Sequence, residues 1–555
     1  MPAPPPYRFV DQRIGRPVLR ERSGRYAMAA VLAAVCATTG CAPLVDVERT
    51  AAELRTSVQA PTVRGGEAVI ALDQEPDRLD PTLATTLAGR QVFAGLCEKL
   101  YDVDQAGRIV PQLATELPRA SADGRELTIP LRPGVRFNDG TPFDAAAVKR
   151  SLDRHRELDG SSRRVELSAV ASVEVADPAT VRLRLTTPSA PLPSVLADRA
   201  GMVMSPAQLD RLGENFSDHP VCVGPFEFVE RVAQDRIVLR RSDFYYGRDH
   251  VMLDRLVYRA VPDDNIRLAN LRSGEFDVVW EAGPPEVPIL ARDSDVVLLN
   301  TPSVQYMGIT VNIANVGGST GPVPGPLAAD PRVREALSLS IDRATLNKIS
   351  FNGLYRPACG PIPPTSEFAT PRTQACPPHD VGRARRLLAE AGVRTPLRVE
   401  LMLANDSAQN RTGQVIQAMA ARAGFDVVLR PTESTSAIAA AKKGRFETFL
   451  IGWSGRPDPD GNIAVMHTEG SPQNYSGHST PETDALIARA AAEQNPDRRR
   501  GLYELVVEDL HERNNVIYLY RQQYYTAHSA DLAGVAVYPD GIMRMAGAGY
   551  RAHEG

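Results

Sequence analysis

Eleven residues, GWSGRPDPDGN at 452–462, gather the side chains best suited to holding a small molecule. Trp453, one of two tryptophans, stands where an apolar run ends, and its broad, partly polar ring suits a cleft wall. Arg456 carries a planar fork that grips a carboxylate through two parallel hydrogen bonds. The competing fate for Arg456 is an ion pair with Asp458 or Asp460 inside the turn. Both aspartates alternate with Pro457 and Pro459, whose fixed φ stiffens the segment, so they either aim a carboxylate into a cleft or simply shape the turn. DPDGN has the start of a calcium loop but lacks the glutamate at its twelfth position, and no metal site is expected.

Catalytic patterns are weak by comparison. Gly317-Gly318-Ser319-Thr320-Gly321 fits G-x-S-x-G, yet it lies in a Gly/Pro-rich loop and not at a strand-to-helix elbow. There is no HExxH, P-loop or dinucleotide fingerprint, and the nine histidines are scattered without metal-ligand spacing. Two carboxylates distant in the chain would suffice for glycoside hydrolysis, which keeps a cell-surface hydrolase of peptides or glycans as the alternative class. With 63 basic and 67 acidic residues the net charge is -4, which gives no electrostatic case for nucleic acid. No cofactor is expected.

The first 40 residues carry a charge of +4 and run into an apolar stretch from Tyr26 to Ala37. That stretch is too short for the roughly 20 residues that cross a bilayer but fits a signal-peptide core. Thr38-Thr39-Gly40-Cys41 then places small residues before a cysteine, similar to a bacterial lipobox except for Thr38, where Leu is usual. Cys41 is the expected lipidation site, residues 1–40 the signal peptide and 41–65 the tether; plain secretion is the alternative. In an oxidising compartment the remaining Cys97, Cys222, Cys359 and Cys376 suggest two disulfides. Cys359 with Cys376 closes a proline-rich loop, which leaves Cys97 with Cys222; the alternative is that these last two are buried free thiols.

The elements that must position these residues follow from periodicity. Leu127, Ile129 and Leu131 alternate with Thr128, Pro130 and Arg132 as in a strand, Pro130 suggesting an edge. Asn138-Asp139-Gly140 supplies a turn, and Asp144 caps a helix whose face carries Val148, Leu152 and His155. Beyond Tyr306 the pattern is a βαβ alternation, with strands at 398–403, 426–430 and 447–452 and helices at 409–423 and 434–443. Two amphipathic helices follow, near 481–493 and 497–513. Residues 268–283 and 439–455 echo each other: a helix stopped by Gly274 or Gly444, then Phe276 or Phe446 opening a buried strand. The echo suggests two lobes that each feed a strand end towards one cleft.

The string at 127–152, with GRIVPQLATELP (107–118), EPDRLDP (75–81), CVGPFEFVE (222–230), DPRVREALSLSIDR (330–343) and GWSGRPDPDGN, closely resembles the extracellular solute-binding proteins of family 5, the peptide, dipeptide, glutathione and nickel receptors of ABC importers. The resemblance covers about 66–545. It implies an α/β fold of the two-lobed periplasmic-binding-protein type (type II, cluster C) with an extra subdomain in lobe I. The expected division is lobe I at 66–305, with the subdomain at about 102–219, lobe II at 306–524, and 525–555 returning to lobe I before a tail. It further implies a monomeric extracytoplasmic receptor, held to the outer face of the cell membrane by its lipid, that captures a peptide or peptide-like solute and presents it to a permease and ATPase. A diverged receptor lipoprotein without transport is a further alternative. By family position the ligand-binding candidates are Trp453, Ser454, Gly455, Arg456 and Asp458, with Tyr306 at the strand entering lobe II, Glu75 and Leu79 in the loop after the first strand, and Val223 and Gly224 in a tight loop. Peptide-binding relatives carry an aspartate where Arg456 stands. An arginine cannot receive an ammonium, so the expected ligand presents an acid, or a blocked or modified terminus, at that point.

Overall fold

The computed structural model describes residues 57–471 and 473–552. Cys41, the expected signal peptide and most of the expected tether lie outside these residues. The last part of that tether, 57–65, is seated on the body: Thr62–Val63 pairs with Gly549–Arg551, and Ser57 bridges Ala536.

Two mixed sheets organise the chain. The larger has seven strands in the order Val296–Pro302, Gln523–Ser529, Val278–Val279, Glu67–Leu72, Arg255–Ala260, Arg236–Arg241 and Phe226–Val232. Glu67–Leu72 runs parallel to both its neighbours and is almost wholly buried, as a central strand covered on two faces should be. The second has six strands in the order Arg356–Pro357, Val516–Arg521, Tyr306–Val311, Thr448–Trp453, Leu397–Ala404 and Phe425–Thr432. Here the strands joined through helices Ser407–Ala421 and Ser434–Lys442 pair in parallel, the result that crossover connections enforce. The chain passes between the sheets at 303–305 and again at Gln522.

A four-stranded antiparallel sheet with its own core, from Leu100 to Val223, packs beside the seven-stranded one. In it Glu126–Pro130 is an inner strand, not an edge. Pro130 is tolerated because it is the last residue, beyond the reach of the short neighbour Arg119–Ala120. Asp144 caps Ala145–Glu157 by accepting from the Ala147 amide, and Val148, Leu152 and His155 are buried beneath it. Gly274 ends Asp264–Ser273 at φ 79°, and Phe276 and Phe446 are both buried, so the internal echo marks equivalent helix-to-strand turns in the two sheets.

Cys97 and Cys222 lie within bonding distance at a Cα separation of 5.0 Å, and Cys359 and Cys376 at 4.9 Å. Both separations fit disulfide geometry.

Candidate functional site

Antiparallel pairing of Tyr306–Val311 with Thr448–Trp453 sets Tyr306 directly opposite Trp453. Tyr306 is 2% exposed, meets the Tyr518 ring edge-on at 4.9 Å, and its hydroxyl has no hydrogen-bond partner. Trp453 donates from Nε1 to the Gly461 carbonyl at 2.9 Å, which folds 454–461 back over the indole. Gly455 takes φ 73° with its α-carbon against the Val304 carbonyl, so a side chain there would strike the crossover backbone. Asn462 fixes the loop from the other side by exchanging hydrogen bonds with the Arg456 backbone at 2.6 and 2.9 Å.

Held in this way, Arg456 reaches neither Asp458 nor Asp460. Its guanidinium lies over Trp453 at 5.2 Å, donates to the Gly455 carbonyl at 2.7 Å and to Ser454 Oγ at 3.3 Å, and faces Asp198 Oδ2 at 3.4 Å. Asp458 is engaged by Arg499 through two bonds of 2.6 and 2.7 Å. That pair ties the loop to helix Pro496–Arg513.

Asp198 is the centre of a cluster that the sequence did not announce. Arg90, from helix Leu87–Leu96, donates to its Oδ1 at 3.1 Å; Arg199 lies 3.8 Å away, and Arg456 closes the other side. Arg163 stands nearby and pairs with Glu166 at 2.7 Å. Burial opposes ionisation of Asp198, yet Arg90, Arg199 and Arg456 together hold its carboxyl well below the usual range. Burial and then Arg163 push Arg199 down to about 9. Four guanidinium groups thus face two carboxylates, Asp198 and Glu166, and Arg90 Nη1, Arg163 Nε and Arg199 Nε are buried without an acceptor. Unpaired buried donors with surplus positive charge are what an anion would relieve. Its sign in the sequence is Arg90, a charged residue inside an otherwise apolar helix.

The other expected residues are placed differently. Glu75 accepts two bonds from Arg231 and one from the Gln234 amide, so it staples its loop to the hairpin at 226–241. Leu79 is fully buried in the core of the seven-stranded sheet. Val223 is buried, its carbonyl accepting from the Glu98 amide at 2.7 Å, and Gly224 abuts the Leu96 carbonyl, so both shape the corner that holds Cys97 beside Cys222.

Comparison with known proteins follows the geometry. Residues 108–475 match the family model of bacterial extracellular solute-binding proteins, family 5 Middle. The chain is 28% identical over 500 residues to the glutathione-binding protein GsiB of Salmonella paratyphi A, covering 88% of this chain and 95% of that one. Among solved structures it is similar to AgaA of A. tumefaciens R10 in complex with agropinic acid, at 26% identity and TM-score 0.75, over 88% of this chain and 99% of that one. DppA of Helicobacter pylori in complex with the peptide STSA, at 23% identity, TM-score 0.76 and coverage of 88% and 99%, shares the fold.

Proposed function

Since this chain belongs to the bacterial extracellular solute-binding proteins of family 5, two-lobed receptors, we propose that it captures a peptide-like solute carrying a carboxylate and delivers it unchanged to an ABC importer. The observation that carries this reading is the buried surplus of guanidinium groups around Asp198, with Arg456 contributed by the loop after the six-stranded sheet and Arg90 by a helix packed on the seven-stranded one. Relatives named for glutathione and agropinic acid support an acidic, peptide-like or conjugated ligand. We take the lobes to be 66–305 with 525–545, and 306–524, so that Arg456 and Asp198 face each other across the cleft. A ligand carboxylate that takes donors from both sides favours the closed arrangement by its differential affinity for it.

No bond is made or broken in this reading. Calorimetry with reduced glutathione and trialanine tests it: binding in the micromolar range or tighter, with the probe recovered intact, is expected. Absence of binding, or turnover of the probe, overturns it. Membership of the family also supports export and anchoring through Cys41, which mass spectrometry of the mature N-terminus tests, and disulfides at Cys97–Cys222 and Cys359–Cys376, which non-reducing peptide mapping tests.

A further inference from the structure

A single backbone hydrogen bond joins the stretch 188–201 to helix Pro481–Ala492, although the two share no sheet. The stretch is fixed on the four-stranded side: Leu192 and Leu196 are buried in that core, Pro188 abuts Gly124, and the Leu196 carbonyl accepts from the Tyr101 amide at 3.3 Å. The helix packs against Asp460–His467 and Pro496–Arg513. Carbonyls in the last turn of a helix lack donors of their own, and here each finds a different one. Arg489 accepts from the Glu493 amide at 3.1 Å, Ala490 from Arg499 Nε at 3.0 Å and Ala492 from Gln494 Nε2 at 3.4 Å. The Asn495 amide, which a longer helix would have given to Ala491, goes to Glu493 at 2.8 Å. The Ala491 carbonyl accepts from the Ala190 amide at 2.8 Å instead.

Both ends of this contact are tied to the pair formed by Asp198 and Arg456. On one side the short helix Leu192–Val195 leads directly from Ala190 to Asp198. On the other, Arg499 donates to the Ala490 carbonyl at 3.0 Å, to Asp458 at 2.6 and 2.7 Å and to the Tyr503 hydroxyl at 2.7 Å, so the helix end and the loop bearing Arg456 are one piece. Two rigid bodies thus meet at two points. Ala190 and Ala491 are both half-buried, so on separation water replaces each partner and neither polar group is left dry. The 3.4 Å approach of Arg456 to Asp198 is loose as well. Contacts this cheap to break suit parts that open and shut.

We propose that these two points form a clasp that is made when the lobes close: the Ala190 amide on the Ala491 carbonyl at one, and Asp198 against Arg456, together with the acid of the solute, at the other. This assignment rests on the solute-binding reading above and on the lobes as taken there. Ala190 is then a positioning residue. Its amide is spent on Ala491, so it sets how long a solute stays and not which solute enters.

Calorimetry with reduced glutathione and trialanine, and their release followed by tryptophan fluorescence, test it on Ala190→Pro, which lacks the amide, and on Ala190→Gly, which keeps it. Ala190→Pro is expected to bind each probe that the wild type binds about three- to tenfold more weakly, the scale of one backbone hydrogen bond, through faster release. The melting temperature of the unliganded protein should stay at the wild-type value, and Ala190→Gly should bind as the wild type does. Ala190→Asp keeps the amide but sets a negative charge against the carbonyl end of the helix, and should weaken binding in the same manner. Where Ala190→Pro melts below the wild type, Ala190→Asp decides. Wild-type affinity in the deciding variant, or an equal loss in Ala190→Gly, overturns the clasp while leaving the solute-binding reading standing. If neither probe binds the wild type, both fall together.

Discussion

Arg456 illustrates how one side chain changes the demand a site places on its ligand. Its guanidinium faces Asp198 at 3.4 Å, longer than a charge-assisted bond wants to be, and Asp198 Oδ2 has no hydrogen bond. A solute carboxylate would accept from the Arg456 guanidinium, whose donors this long contact leaves underused. Arg456→Ala is expected to weaken binding of an acid-bearing probe by about 1.5–3 kcal/mol, measured calorimetrically, with little change in melting temperature because Arg90 still pairs Asp198. Arg499 behaves in the opposite way. Its pair with Asp458 is 5% and 11% exposed, so Arg499→Ala leaves a buried carboxylate beside Asp460 and should destabilise the fold by about 3–5 kcal/mol in denaturant titration.

Among the elements, local chemistry was legible where it was local. Asp144 followed by an apolar face at helical spacing could only cap a helix, and Asp144→Ala should cost about 1 kcal/mol of stability by thermal melting. The βαβ run from Leu397 to Trp453 was read to within two residues at each boundary for the same reason: alternation and helical periodicity are properties of short windows. The string GWSGRPDPDGN was correctly placed at a strand end, but the partners of its charges were not. Arg456 was weighed against Asp458 and Asp460 because those are its neighbours in the chain. Its partner, Asp198, comes from a segment more than two hundred residues away, and no window contains both. Glu75, Leu79, Val223 and Gly224 meet a related limit: a loop beside a cleft reads the same whether its residues face the ligand or anchor the loop, as Glu75 does through Arg231.

At the scale of the whole molecule, two features govern how the protein withstands its surroundings. Cys97 and Cys222 are 125 residues apart and Cys359 and Cys376 are 17 apart, so, once oxidised, the first pair restricts a long loop of the unfolded chain and the second a short one. Reduction should lower stability by about 3–5 kcal/mol for the longer loop, read from denaturant midpoints with and without reductant. Burial pushes His155 down to about 4, His467 to about 3 and His528 to about 4, each from the ordinary 6.5 of a histidine. These side chains are neutral in the folded protein while the unfolded chain protonates them first. Their contribution is complete above pH 6.5 and is lost as pH falls towards 4, by up to about 1.4 kcal/mol per pH unit for each, which melts between pH 7 and pH 4 should trace. The two passages between the sheets carry a last consequence. Arg521, 4% exposed, donates to the carbonyls of Val304, Gln305, Gly360 and Ile362, and Ser303 Oγ donates to the Gln522 carbonyl at 2.6 Å. The outgoing and returning strands are therefore bolted together into a single axle on the six-stranded side, about which the closure proposed above would turn.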